Sequence, residues 1–266
     1  MVSMAVDLMS ATVQIEQPLA DGTRTVATGF LVSDPTPDGR PRIVLVTADH
    51  VFEGMPKDKA TVGWRIAGPG GAWAFAPRSF AIRAGGRPLW TRNPDRDVAA
   101  IVIQAPPQFA KAAIPLSWLG GDGALARHPL APGQEMMTLG FPQGLAANPA
   151  GFPILRSGKV ASYPLAPSAA YPTFLLDFQV FPGNSGGPVW CDEAASDGEH
   201  EVVAGMLTQE VQKNDQNLGI GIVTQAQFIR DTLALIDRPS GAATIARSET
   251  VQSFVADTAS RPQPKR

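Results

Sequence analysis

Cysteine is nearly absent from the 266-residue sequence: Cys191 is the single example. No intramolecular disulfide can form, which suits a reducing compartment better than an extracellular one. Basic charge is not in excess either. Lys and Arg number 22 against 24 Asp and Glu, a net charge of −2, so nothing favours electrostatic capture of nucleic acid or a polybasic membrane anchor. No apolar run approaches the ~18 residues of a membrane span. No Lys or Arg precedes Arg24, and Asp7 interrupts the apolar start, so no secretory signal is expected here. A cytoplasmic protein is expected. Three scattered histidines and one cysteine give no metal-ligand spacing. The sequence has no G-x-x-x-x-G-K-S/T loop, and Gly121-Asp122-Gly123 is too short for a dinucleotide fingerprint. Neither a metal nor a cofactor is expected.

What is present suits a β-rich globular protein. Hydrophobic residues make up 44% of the chain, and 26 Gly with 25 Pro are hard to house in long helices. Apolar, β-branched runs bounded by turn residues predict twelve strands. Six fall near 10–17, 25–33, 42–48, 60–67, 73–82 and 98–104. The other six fall near 135–140, 152–161, 173–178, 187–190, 201–208 and 218–224. The Pro/Gly-rich stretch 105–133 between the two sets reads as an irregular connection. One helix is expected after residue 224. There Thr224 and Gln227 resemble a capping box, and Phe228, Thr232, Leu233 and Ile236 share a face. These boundaries divide the chain into 1–115, 116–240 and a polar tail or linker, 241–266.

Chemistry concentrates in Pro182-Gly183-Asn184-Ser185-Gly186-Gly187-Pro188. Glycines permit a tight loop whose backbone N–H groups converge, and a serine hydroxyl beside such a loop is the arrangement that makes an oxyanion hole. A merely structural glycine turn is the plainer alternative. The same letters satisfy the G-x-S-x-G nucleophile elbow, but an elbow runs into a helix and its acid and histidine follow the serine. Here Gly187-Pro188-Val189-Trp190 reads as extended, and the one histidine after Ser185 is His200, in a charged stretch. The partners lie upstream instead. His50 ends the apolar run from Ile43, and Asp97 opens another, Val98 to Ile103; Asp95 competes with Asp97 for the same role. His128 and His200 receive no catalytic role, and Cys191 reads as an inert thiol.

In this order the blocks resemble the trypsin-like (chymotrypsin-fold) serine peptidases, especially disulfide-free bacterial members such as the HtrA/Deg proteases. Ala27-Thr28-Gly29-Phe30 is similar to the family's block before the histidine strand, and Thr47-Ala48-Asp49-His50-Val51 to its histidine motif. Leu139-Gly140-Phe141-Pro142, Gly158-Lys159-Val160 and Gly219 to Val223 match later blocks. The resemblance spans about residues 10–237. It implies an all-β fold of two six-stranded antiparallel Greek-key β-barrels, with the active site between them and a C-terminal α-helix. It implies a serine endopeptidase with a His50/Asp97/Ser185 triad, acting on a restricted set of protein or peptide substrates without nucleic acid or membrane as partner. The oxyanion hole then falls at Gly183, Asn184 and Ser185, with the N–H groups of Gly183 and Ser185 as donors.

The pocket for the residue preceding the scissile bond is implied at Gln179, Val180, Phe181, Thr208, Gln209, Glu210, Leu218, Gly219 and Ile220. Gln179 stands where Lys/Arg-cutting members keep an aspartate. Val180, Phe181 and Ile220 therefore suggest a small or medium apolar side chain, while Glu210 suggests a basic one. Asn184 replaces the aspartate that pairs with a freed N-terminus in zymogens. Activity without N-terminal processing is expected, or control by a partner or oligomer. Residues 241–266 are too few for the PDZ domain of about 90 residues usual in HtrA proteins. The alternative function is a silent or latent peptidase fold that holds peptides without cutting them.

Overall fold

The structure is a computed structural model and describes residues 4–123, 129–191, 203–213 and 216–237. His128, His200 and the tail 241–266 lie outside the described residues. The chain begins with helix α1 (Met4–Ala11), which the strand expected from residue 10 did not anticipate. Met4, Leu8 and Ala11 are its buried residues, the i, i+4, i+7 spacing of a helix face.

Six strands follow where the apolar runs placed them: β1 (Thr12–Pro18), β2 (Arg24–Ser33), β3 (Ile43–Thr47), β4 (Lys59–Ala67), β5 (Trp73–Ala81) and, after three two-residue strands, β9 (Ala99–Val102). Those short strands are β6 (Arg83–Ala84), β7 (Arg87–Pro88) and β8 (Thr91–Arg92); a one-turn helix, α2 (Asp49–Glu53), follows β3. The sheet runs β5-β4-β1-β2-β3-β9-β8. Its eighth strand, β10 (Ile114–Pro115), pairs parallel to β2 through Ile114 and Val32.

The connection from 105 is more regular than its composition suggests. Helix α3 (Pro107–Ala112) forms there with Pro107 inside its first turn, where a missing N–H costs nothing and the fixed φ suits a helix. The second set of strands closes into a six-stranded barrel in the order β11-β12-β13-β16-β15-β14. These are β11 (Glu135–Gly140), β12 (Ile154–Val160), β13 (Thr173–Asp177), β14 (Pro188–Trp190), β15 (Val203–Lys213) and β16 (Gln216–Gln225). Sheet and barrel together make the two-barrel chymotrypsin fold.

The last helix, α4 (Ala226–Leu235), buries Ala226, Ile229, Thr232 and Leu233, a face turned one step from the expected one. It packs back against the first half, sharing one apolar core with Leu45, Ala99 and Ile101. Asn93 Nδ2 donates to Thr232 Oγ1 (3.1 Å), and buried Arg42 pairs with Asp237 (2.6 Å) and with Asp34. The capping box does not form. Thr224 remains in β16 with its hydroxyl on Thr208 Oγ1 (3.3 Å), and Gln227 accepts from Asp122 N–H (3.2 Å).

Candidate active site

His50 leaves the end of β3 and lands in the first turn of α2. Asp97 sits in the turn between β8 and β9, where Val98 N–H returns to Arg96 O (2.8 Å) and Asn93 N–H to Val98 O (2.9 Å). Because β9 pairs with β3, with Thr47 opposite Ala99, the two residues meet just beyond the paired strand ends. Asp97 uses both carboxylate oxygens on His50: Oδ2 on Nδ1 at 2.7 Å and Oδ1 on the backbone N–H at 3.0 Å. A carboxylate can only accept, so Nδ1 carries the proton and Nε2 is left with its lone pair outward. Asp95 does not share this contact; its N–H closes a local turn on Asn93 Oδ1 (3.0 Å).

Burial by itself lowers the His50 pKa. The Asp97 hydrogen bond and charge, helped by Asp49 and Glu53, outweigh it and raise the pKa above the ordinary 6.5. Asp49 was not singled out in the sequence. It lies under the helix turn, accepting from Trp90 Nε1 (2.7 Å) and pairing with Arg92 (2.9 Å). Burial raises its own pKa despite those partners.

Ser185 comes from the opposite half, in the turn between β13 and β14, and crosses to the first sheet through Thr28 of β2. Thr28 N–H donates to Ser185 O (2.9 Å). The Thr28 hydroxyl donates to Gly183 O (2.7 Å) and accepts from Phe141 N–H (3.1 Å), while Thr47 Oγ1 donates to Thr28 O (2.7 Å). The approach leaves no room for a side chain at Gly186, where a Cβ would stand 1.9 Å from Thr28 O. This seam carries Ser185 toward the end of β3, from which His50 projects. The Ser185 hydroxyl itself donates to Thr208 O (3.1 Å).

Backbone accounting identifies what the loop leaves open, since a buried amide needs a partner. Asn184 N–H goes to Phe181 O (3.0 Å), Gly186 N–H to Leu207 O (2.8 Å) and Gly187 N–H to Asn184 O (3.1 Å). The N–H groups of Gly183 and Ser185 have no partner among the described residues. Peptide planarity explains their direction. Pro182 O is drawn aside by Gln143 N–H (2.6 Å) and Asn184 O by Gly187 N–H, so the following N–H in each peptide points the other way. Gly183 holds φ +98°, and a Cβ there would lie 2.2 Å from Phe141 O.

Gln143, missed in the sequence, keeps a left-handed φ of 52°, a conformation few non-glycine residues adopt. Its segment is tied to the first half by Gln14 Nε2 on Gly144 O (3.2 Å) and by Arg65 Nη1 on Gly151 O (3.2 Å). Arg65 is 1% exposed and also donates to Met9 O and Ser10 O at the end of α1. Burial lowers its pKa to about 10. Asn184 is buried beside Gly140 and Thr28, and its Nδ2 has no hydrogen-bond partner among the described residues.

The expected pocket residues divide. Gln179 is exposed, and Phe181 and Ile220 are half-buried. Val180 turns into the barrel core, 3% exposed, against Gly221, and so does not offer its side chain to a pocket. Thr208 is buried, with its hydroxyl on Ile222 O (3.2 Å). Gln209 and Leu218 are exposed. Gly219 donates to Asn217 Oδ1 (2.8 Å). Glu210 accepts from both Gln212 and Asn217, which weakens its claim to attract a basic substrate side chain.

The family model described as the trypsin-like peptidase domain matches residues 27–196. No curated protein matches the sequence. Among solved structures, the HtrA-type protease AlgW with a tripeptide aligns at 17% identity and a TM-score of 0.54, covering 88% of this chain. This chain spans 64% of that protein's length. The Rv3671c protease from M. tuberculosis, in its active form, aligns at 20% identity and a TM-score of 0.51, over 88% of this chain and 84% of its own.

Proposed function

Because the chain belongs to the trypsin-like peptidase family, we propose that it is a serine endopeptidase working through His50, Asp97 and Ser185. The observation that carries this reading is the pair of N–H groups, Gly183 and Ser185, that have no partner among the described residues in the stretch Gly183 to Gly187, whose other amides are bonded. A substrate carbonyl oxygen placed between them gains two donors as it becomes an oxyanion. Ser185 Oγ turns from Thr208 O toward His50 Nε2, gives that nitrogen its proton and bonds to the carbonyl carbon. Asp97 holds Nδ1–H and stabilises the imidazolium. When the tetrahedral intermediate collapses, the C–N bond breaks and Nε2–H protonates the departing amine. Water then repeats the sequence on the acyl-enzyme, releasing the acid and restoring Ser185.

One observation favours the alternative, a latent or silent peptide-binding module: the Ser185 hydroxyl rests on Thr208 O. Labelling with a fluorophosphonate separates the two. An adduct on Ser185 of the folded protein, absent from Ser185→Ala and from heat-denatured protein, supports the peptidase. Failure of the folded protein to label supports the latent form.

A further inference from the structure

Arg156 of β12 lies beside the segment that leads into the serine loop. Its Nη1 donates to Gln179 O (2.7 Å), and its guanidinium covers the rings of Phe178 (4.3 Å) and Phe181 (5.4 Å). The side chain is half-buried, and burial lowers its pKa from the ordinary arginine value. Two other buried or half-buried arginines without a carboxylate partner hold three carbonyls each: Arg65 takes Met9, Ser10 and Gly151, and Arg83 takes Phe52, Met55 and Lys57. Arg156 takes one. Of the five N–H donors of a guanidinium, most are left without a protein acceptor among the described residues. Glu210, the acidic side chain expected at the pocket, is held by Gln212 and Asn217 instead.

We propose that Arg156 reads an acidic side chain, Asp or Glu, at the substrate position preceding the scissile bond. This rests on the peptidase reading of the same site and replaces the apolar preference suggested by sequence. Two aromatic rings fix the guanidinium plane while the Gln179 carbonyl anchors one edge, leaving the remaining edge for a carboxylate. A planar fork matches a carboxylate with two parallel hydrogen bonds. Val180, the aliphatic residue next to Gln179, is turned away into the barrel core, so it does not compete by favouring an apolar occupant.

The test measures binding apart from turnover. Peptides carrying Glu, Gln or Val at this position, amidated at the C-terminus, are titrated against Ser185→Ala by fluorescence anisotropy. Glu is expected to bind at least tenfold more tightly than Gln or Val. Adding Arg156→Gln should abolish that ratio, whereas Arg156→Lys should keep part of it. Far-UV circular dichroism of the Arg156→Gln variant should match that of Ser185→Ala, so that loss of the ratio is not loss of the fold. Equal affinity for the three peptides, or a Glu preference that survives Arg156→Gln, overturns the proposal. Loss of labelling in the wild type overturns the peptidase reading alone, because the binding ratio does not depend on an active serine.

Discussion

The two halves supply the proposed site by different means. The first sheet contributes side chains, His50 and Asp97, locked by a pair of hydrogen bonds at adjacent strand ends. The closed barrel contributes one hydroxyl and, beside it, bare backbone: two amides without a partner among the described residues, turned away from neighbouring carbonyls that are held elsewhere. The first arrangement depends on charge and tautomer, the second on the absence of side chains where strands and loops approach. Thr28 joins them, since its backbone and hydroxyl belong to the first sheet but fasten Ser185 O and Gly183 O of the second.

Breaking the charge side should cost most. Asp97→Asn allows the wrong imidazole tautomer and is expected to reduce kcat by roughly 10⁴-fold, measured on any peptide the wild type cleaves. Breaking the backbone side comes next. Gly183→Ala forces a Cβ into Phe141 O at a positive φ and should displace one oxyanion donor, lowering kcat by about 10²–10³-fold. The Ser185 hydroxyl and the His50–Asp97 pair remain, so the substrate KM should move little.

Thr28→Val keeps the shape but removes the acceptor of Phe141 N–H and the donor to Gly183 O. Two buried groups lose a partner, each at about 1–3 kcal/mol. Thermal stability should fall, and the labelling rate of Ser185 should fall further than the folded fraction does. Equal losses would reduce Thr28 to a structural strap. The smallest effect is on pH. With its pKa raised above 6.5, His50 becomes a free base only at higher pH, so kcat/KM should rise through a pKa above that value. The stability from its pairing with Asp97 runs oppositely: it is complete below about 6.5 and is lost as pH passes the folded-state pKa. Chemical denaturation at pH 6 and pH 9 measures that difference, and Asp97→Asn should erase it.

Strands were legible because apolar and β-branched runs at turn-bounded intervals have few other uses. Each of the twelve has its counterpart in the sheet or the barrel. Helices were less so. α1 is eight residues long and merges into a strand-like run at Thr12, and α3 begins on Pro107 in a stretch that composition marks as irregular. The supposed cap at Thr224 failed because tertiary pairing keeps that residue in β16. Local propensity yields to such pairing when the two conflict.

The sequence by itself determined which chemistry is on offer: a serine among glycines, a histidine and an aspartate at the ends of apolar runs, and no metal-ligand spacing. Those are properties of residue types and their order. Tertiary structure decided that Asp97, not Asp95, meets His50, that Gly183 and Ser185 keep their amides open, that Val180 turns inward, and that Arg156 stands beside Gln179. Each of these depends on distances of a few ångströms between segments far apart in the chain. Residue order does not encode such a distance locally; the register of paired strands and the close packing of the two halves set it.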